Sequence, residues 1–288
     1  MPELDPVKEP GIYTMLADKY HADPAPEPSL SSSIAKVLLT QSPAHAKLQH
    51  PRLNPTFKEE ESDRFDIGSA AHSLLLEGDG KMCVVDAKDW RTNAAKEQRD
   101  TARANGLYPV LPHQEFGIRT MVKVARDFME TTELAGIFDK GKPEQSAFWR
   151  ESDTWCRARL DWLADDVILD YKTTESANPE GFSRQIIAMN HHVQAAMYQA
   201  GIYRLTGSLL PFIFLVQEIT LPYACSLVGL STPMGTLGER RYYRALKTWK
   251  ECLKSGNWSS YTNRICYAEP PTWALAQEEE IESQKENQ

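Results

Sequence analysis

An acidic hairpin constrains this chain more than any other feature of its sequence. The segment ARLDWLADDVILDYK (158–172) has two apolar runs separated by Asp165 and Asp166, a pattern typical of antiparallel strands joined by a tight turn. With that turn, residues whose numbers add up to 331 lie opposite each other, so Asp161 faces Asp170. Like charges at such cross-strand positions, with Cβ atoms about 4.5–5.5 Å apart, destabilise a sheet. The hairpin therefore predicts a positive partner between the carboxylates, and removal of either carboxylate should preserve or raise stability.

Lys172 can supply that positive charge. It follows Asp170 by two residues, and side chains two apart in a strand point to the same face. An ordinary salt bridge on a surface strand is the alternative. However, Ile168 and Leu169 come directly before Asp170, which is typical of a buried strand where a free charge is costly.

Phosphodiester hydrolysis uses this combination of groups. Carboxylate oxygens bind Mg²⁺, which keeps several waters and can meet a phosphate oxygen. The ion lowers the pKa of a bound water, and a nearby lysine can orient or deprotonate that water. We therefore predict a Mg²⁺ site on Asp161 and Asp170, where Mn²⁺ can substitute, with Lys172 as the group that positions the attacking water.

The apolar patterns elsewhere predict an α/β fold with a central sheet. Strands are expected where short segments alternate or run apolar, at 144–152, 154–163, 167–174, 212–219 and 223–230. Helices are expected at 64–76, 178–189, 191–205 and 238–256, and a Ser-rich N-cap predicts a further helix start within 29–39. The stretch 84–140 has polar helical segments and no motif.

The two ends of the chain differ from its body in composition. Residues 1–30 contain six of the eighteen prolines and carry a net charge of −4, and residues 277–288 carry another −4. Because the whole chain carries −8, residues 31–276 are neutral overall and can present a basic groove. We expect an extended arm at 1–30, one domain at 31–265 and an acidic, disordered tail at 266–288.

Composition also limits the class of protein. No run of about 18 apolar residues occurs, which excludes a membrane span. Five scattered cysteines without a CxxC pair favour a reducing cytosol and argue against structural zinc. The first residues lack a basic stretch followed by an apolar one, so we expect no secretory signal and a cytoplasmic protein.

The spacing D-x8-D-x-K at Asp161, Asp170 and Lys172 resembles the core of the PD-(D/E)XK nucleases. His72 lies on a predicted N-terminal helix, as does the histidine of the subgroup related to the RecB nuclease and lambda exonuclease. Glu144 precedes the first core strand, where several members carry another acid. The resemblance implies a PD-(D/E)XK nuclease core, with a central mixed β-sheet flanked by helices, within the domain at 31–265.

Two further motifs narrow the resemblance. Gln194 and Tyr198 form the Q-x3-Y helical signature of the same subgroup, and residues four apart share one helix face. The segment 11–46 looks like the opening of exodeoxyribonuclease VIII proteins, the RecE-like group of phage exonucleases. The likeness covers about residues 11–262, although Asp170 stands where many relatives have glutamate.

The resemblance implies roles near the metal for three residues. His72 would be an outer metal ligand or phosphate contact, and a packed helix histidine is the alternative. Glu144 would be an additional catalytic acid, and a water-facing acid at a strand start is its alternative. The backbone carbonyl of Tyr171 would be a further metal ligand.

Four residues are candidates for contact with DNA. Gln194 and Tyr198 would face one groove, and their alternative is a role as polar core residues. Arg157 and Arg159 share the strand parity of Asp161, so they could meet phosphate or equally be solvated strand residues.

By resemblance, the activity is Mg²⁺-dependent digestion of linear double-stranded DNA from its ends, in the 5′→3′ direction, which leaves 3′ single strands for recombination. The implied partners are a single-strand annealing protein and further copies of the chain in a ring, and the implied source is a phage or prophage gene in a bacterial host. Two rivals remain: a structure-selective endonuclease with the same site, and a non-catalytic DNA-binding protein that kept the fold.

Overall fold

A computed structural model describes residues 6–56, 63–78 and 81–286. In chain order its elements are β1 (Gly11–Thr14), α1 (Ala17–His21), α2 (Ser32–Thr40), α3 (Pro43–Gln49), α4 (Asp63–Leu76), β2 (Met82–Val84), α5 (Asn93–Ala104), β3 (Tyr108–Val110), α6 (Pro112–Met129), a 3₁₀ turn (Ile137–Asp139), β4 (Gly141–Glu151), β5 (Thr154–Ala164), β6 (Ile168–Thr174), α7 (Pro179–Ala188), α8 (His191–Thr206), β7 (Phe212–Glu218), β8 (Cys225–Gly229), α9 (Thr232–Ser255) and α10 (Thr272–Glu286). The strands and helices predicted from the apolar patterns are confirmed to within three residues, except that α9 begins at Thr232 rather than at residue 238.

A six-stranded mixed sheet forms the centre, in the order β1-β4-β5-β6-β7-β8. Neighbouring strands in this sheet run antiparallel, except that β6 and β7 run parallel. One face packs against α2, α7, α8 and α9, and the other packs against α4 and α6. Successive residues of β6 divide between these layers, since Ile168 joins the first core and Leu169 the second. The predicted α/β fold with a helix-flanked mixed sheet is confirmed.

The hairpin between β5 and β6 has the predicted register. Trp162 pairs with Leu169 and Leu163 with Ile168, and both pairs of numbers add up to 331. Asp165 and Asp166 lie exposed in the turn. The turn is closed by a hydrogen bond of 3.0 Å from the Ala164 N–H to the Val167 carbonyl. This register fixes where the two acidic positions of the hairpin meet.

The N-terminal segment differs from the expected surface arm. Strand β1 adds to the sheet beside β4, and Val7, Tyr20 and Leu30 are buried. The prolines do not prevent this, because the short apolar stretches between them can pair with and pack on a free sheet edge. The C-terminal segment also differs, since it contains the exposed helix α10 rather than disorder alone. Residues 1–5 and 287–288 of these two predictions lie outside the described residues.

A buried ion pair fastens the N-terminal segment to β5. The Arg157 guanidinium lies 3.3 Å from the Asp23 carboxylate and donates to the carbonyl and the hydroxyl of Ser29, both at 2.8 Å. Asp23 also accepts from Ser29 and lies 3.3 Å from the His50 ring. Arg157 is only 4% exposed, so its charge is committed to the interior of the protein.

Arg157→Met should therefore destabilise the protein by about 3–5 kcal/mol, because it leaves the Asp23 carboxylate buried without its cation. Equilibrium unfolding in urea measures the loss. Arg150→Met is the matched control, since Arg150 is exposed on β4, and it should cost about 1 kcal/mol or less. Equal losses in the two variants would contradict the anchoring role of the ion pair.

Candidate metal centre and active site

Three carboxylates lie side by side on three adjacent strands. The register of β4 and β5 places Glu144 opposite Asp161. In the register of β5 and β6, Trp162 pairs with Leu169, and the next position places Asp161 opposite Asp170. The described ladder between β5 and β6 ends at this point, so the strands separate where the acids meet.

Each acid of the hairpin has its own cation, whereas the sequence predicted one shared lysine. Asp161 lies 3.0 Å from the His72 Nε2 atom and accepts a hydrogen bond of 2.9 Å from the Tyr171 N–H. Asp170 accepts from the Lys172 ammonium at 2.5 and 2.6 Å on its two oxygens. The like charges are thus compensated in pairs before any metal binds.

Glu144 completes a group of possible metal ligands. Its carboxylate lies 3.4 Å from the His72 Nδ1 atom and forms an ion pair with Arg159. The ligand atoms of His72, Glu144 and Asp161 lie within 4.8 Å of one another, the one such cluster among the residues that the structure describes. Two hard carboxylates with an imidazole suit a divalent cation such as Mg²⁺ or Mn²⁺, the imidazole favouring Mn²⁺.

The backbone at Glu144 supports a specialised role for this residue. Its φ angle is 52°, in the left-handed region that side chains other than glycine rarely adopt. Such a conformation costs on the order of 1–3 kcal/mol and persists where the surroundings enforce it, often at functional sites. Here it directs the Glu144 carboxylate toward His72.

The surroundings shift the pKa values of the two hairpin acids in opposite directions. Burial would raise the pKa of Asp161, but His72, Lys172 and the Tyr171 N–H outweigh it and hold this pKa at about 2. Burial and the nearby charge of Asp161 raise the pKa of Asp170 to about 6 despite Lys172. Asp161 is therefore the stable anion of the pair, and Asp170 is the one that a bound cation would help to ionise.

The carboxylates of the site favour the protonated forms of its two basic groups. Burial would lower the pKa of His72, but the carboxylates of Asp161 and Glu144 raise it overall. Burial also opposes the charge of Lys172, and Asp170 and Asp161 raise its pKa. Both groups contact the carboxylates directly, His72 at Asp161 and Lys172 at Asp170.

An open cleft of about 540 Å³ lies over these groups. Its walls come from α1, the start of α2, α4, the residue before β2, β3, β4–β6 and α8. The wall residues outside the acidic group include Ser31, Ser32, Lys81, Tyr108 and Tyr198. A polar, open cleft of this kind can admit an extended polyanion to the carboxylates.

Comparison with known proteins agrees with this geometry. Residues 31–270 match the family described as PDDEXK-like domain of unknown function (DUF3799). The chain belongs to this PDDEXK-like family. The predicted membership of the PD-(D/E)XK nuclease superfamily is confirmed at this level, and no curated protein matches the chain.

One solved structure has a similar fold. A crystal structure of a "Putative exonuclease" from Eubacterium rectale is 13% identical, with a TM-score of 0.56 over 91% of this chain and 98% of that one. A second structure, SSO0001, is also 13% identical, with a TM-score of 0.29 over 74% of this chain and 100% of that one.

Two predicted DNA contacts of this chain pair with acids of the protein. Arg157 lines the cleft but is 4% exposed and pairs with the buried Asp23, so its contact with phosphate stays a prediction. Gln194 is 7% exposed and donates to both Asp170 oxygens at 3.3 Å, so it holds the acid rather than facing DNA. Strand alternation and helix periodicity predicted the direction of these two side chains. They do not indicate which acid each side chain meets.

Tyr198 and Arg159, the other two predicted DNA contacts, also line the cleft. Tyr198 is 6% exposed, and Arg159 is paired with Glu144. The N–H of Tyr171 is engaged by Asp161, and its carbonyl stays a predicted metal ligand.

Sequence reasoning missed Lys36 and Tyr108. Burial and the charge of Lys172 lower the pKa of Lys36 to about 8, which places a second lysine near Asp170. Lys36 belongs to no motif of the sequence, and its place near Asp170 depends on how α2 packs against the sheet. Tyr108 comes from the unassigned stretch 84–140, where a parallel pairing of β2 with β3 brings it to the cleft.

Gln194→Leu should weaken metal binding about 10–100-fold while the fold is kept, because partners that orient a ligand contribute about that much. Titration of the purified protein with Mn²⁺ measures the affinity directly. Gln199→Leu is the matched control on α8, since Gln199 donates to the Leu210 carbonyl away from the acids. Equal affinities in the two variants would show that Gln194 does not support a metal ligand.

Proposed function

We propose that this protein is a divalent-metal-dependent exodeoxyribonuclease that digests linear double-stranded DNA. The observation that carries the proposal is the row of Glu144, Asp161 and Asp170 across three strands, with Lys172 beside Asp170. Glu144, Asp161 and Lys172 line an open cleft, and Asp170 is buried next to them. Membership of a PDDEXK-like family supports nuclease chemistry. The described residues contain no helix long and apolar enough to cross a membrane.

The metal would be held by Asp161 and Asp170, with Glu144, His72 and the Tyr171 carbonyl as further candidates. Bound Mg²⁺ supplies a water of lowered pKa and offsets charge on the phosphate. The Lys172 ammonium, now on Asp170, would orient the attacking water and keep a positive charge near the phosphate. Gln194 would hold Asp170 in place, and Arg159 and Tyr198 would border the DNA strand.

Exonuclease rather than endonuclease activity has two supports. The motifs around Gln194 and at 11–46 resemble exodeoxyribonuclease VIII proteins of the RecE-like group. The Eubacterium rectale protein of the same fold carries the name of an exonuclease.

We extend the proposal to 5′→3′ polarity of digestion and to a role in recombination in a phage or prophage context. The proposal also includes a cytoplasmic location, a single-strand annealing protein as partner and a ring formed by copies of the chain.

Digestion of end-labelled linear duplex, compared with covalently closed circular duplex, tests the proposal. Linear duplex should be degraded from its ends with Mg²⁺ or Mn²⁺ and left intact with a chelator, and closed circles should resist. Cleavage of the circles would favour the structure-selective endonuclease. Metal-independent binding without cleavage of either substrate would favour the non-catalytic DNA-binding protein. A label at the 5′ or the 3′ end then reads the polarity.

A further inference from the structure

A second cavity lies against the candidate metal centre. It has a volume of about 610 Å³, within the range of about 300–1,000 Å³ that is usual for small-molecule sites. We call it the arm cavity, because residues 6–24 supply much of its wall. The wall residues that it shares with the cleft are Ala17, Glu77, Lys81, Glu144 and Arg159. The two spaces therefore meet at the edge of the acidic group.

The N-terminal segment is held in place to form this wall. Strand β1 runs antiparallel to β4, and Thr14 pairs with Gln145, the residue after Glu144. The Arg159 guanidinium donates to the Met15 carbonyl at 3.1 Å while it pairs with Glu144. The arm cavity is thus tied to the site by a residue that contacts both.

The two ends of the arm cavity differ in chemistry. Its outer wall is largely apolar, formed by Pro6, Val7, Tyr13, Met15, Leu16 and Pro143. Leu16 is 69% exposed, which leaves an aliphatic surface uncovered at this wall. Three cations and two acids also line the cavity: Lys81 pairs with Glu77 at 2.9 Å, Arg159 pairs with Glu144, and Lys19 adds a third positive charge. A ligand with a flat apolar part and an anionic group matches this division.

We propose that the arm cavity binds a nucleoside monophosphate, the nucleotide unit that leaves the end of the strand. Its base would lie on the apolar wall, and its phosphate would lie at the junction, beside Lys81 and Arg159. The assignment of this ligand as a reaction product rests on the proposed function. The cavity then gives the N-terminal segment a role in product binding, since without β1 and the residues that follow it this wall would be missing.

Binding of dAMP to the full chain, with Ca²⁺ in place of Mg²⁺, tests the inference without DNA. Deoxyadenosine and inorganic phosphate are the two partial probes, and each should bind at least tenfold more weakly than dAMP. Leu16→Asp places a charge in the apolar wall and should weaken dAMP binding about tenfold while leaving phosphate binding unchanged. Leu209→Asp is the matched control, because Leu209 is 73% exposed and lines none of the cavities described here.

Several outcomes would overturn the inference. One is that dAMP binds no more tightly than inorganic phosphate, and another is that Leu16→Asp binds dAMP as Leu209→Asp does. A third is that Leu16→Asp leaves dAMP binding unchanged and alters only the molecular mass measured by sedimentation. The apolar wall would then be a contact between copies of the chain. Cleavage of linear duplex is measured separately, so an active enzyme that fails to bind dAMP overturns the nucleotide site alone. Binding of dAMP by a protein that cuts no DNA would support the site and overturn the proposed function.

Discussion

Asp161→Asn is expected to abolish cleavage, with a loss of at least about 10³-fold, and also to destabilise the metal-free protein. The activity is lost because the amide cannot replace a charged metal ligand. The stability falls because His72 and the Tyr171 N–H favour the Asp161 anion and hold its pKa at about 2, below the ordinary value of 3.8. This difference corresponds to a contribution on the order of 2 kcal/mol at neutral pH.

Asp170→Asn should lose the same activity without losing stability. Burial and Asp161 raise the pKa of Asp170 to about 6, so the fold disfavours this charge when no metal is bound. Hydrogen bonds from Lys172 and Gln194 can still reach the amide oxygen. The sequence predicted that either substitution would preserve or raise stability. The structure restricts that expectation to Asp170→Asn. Only at Asp161 do a basic side chain and a backbone donor outweigh the effect of burial on the pKa.

Thermal unfolding with a chelator and cleavage assays with Mg²⁺ measure the two effects. Asp165→Asn is the matched control, because Asp165 is exposed in the turn of the same hairpin. The sign of the pH dependence is fixed by the lowered pKa. The stability that Asp161 contributes is complete above about pH 3.8 and is lost as the pH falls toward about 2, so wild type and Asp161→Asn should converge there. Substantial Mg²⁺-dependent cleavage by either Asp161→Asn or Asp170→Asn would contradict the assignment of these two acids as metal ligands.

The hairpin shows how far sequence alone can reach. The turn at Asp165 and Asp166 fixes a register, and the register fixes that Asp161 meets Asp170, because both steps depend on local geometry. The proximity of Lys172 to Asp170 follows from strand alternation in the same way. Local rules were sufficient wherever the partners lie within one hairpin or one helix face.

Partners from distant segments were not accessible to this reasoning. The counter-ion of Asp161 is His72, which lies 89 positions earlier in the sequence on α4. Arg157 has the predicted parity, yet a cation on a strand face binds whichever acid packs against it, and Asp23 does so. Periodicity gives the direction of a side chain, whereas its partner depends on how segments distant in sequence pack together.

Lys172→Ala is expected to lower the rate of cleavage about 10²–10⁴-fold while changing DNA affinity much less. A group that positions or deprotonates the attacking water contributes about that much to rate, whereas a single phosphate contact mainly alters affinity and its salt dependence. The structure adds a second effect. Without the ammonium, the buried Asp170 carboxylate loses its cation, so its already raised pKa should rise further and the affinity for metal should fall.

Single-turnover cleavage at saturating enzyme, repeated over a range of Mg²⁺ concentrations, separates these effects. A rate that stays low when the metal is saturating shows that Lys172 acts on the reaction itself, and recovery of the wild-type rate would reduce it to a counter-ion of Asp170. Lys142→Ala is the matched control, since Lys142 is an exposed lysine of β4 in the same sheet. Weaker DNA binding with an unchanged saturating rate would instead make Lys172 a phosphate contact. The three roles thus predict different dependences on metal and on DNA, and one set of titrations distinguishes them.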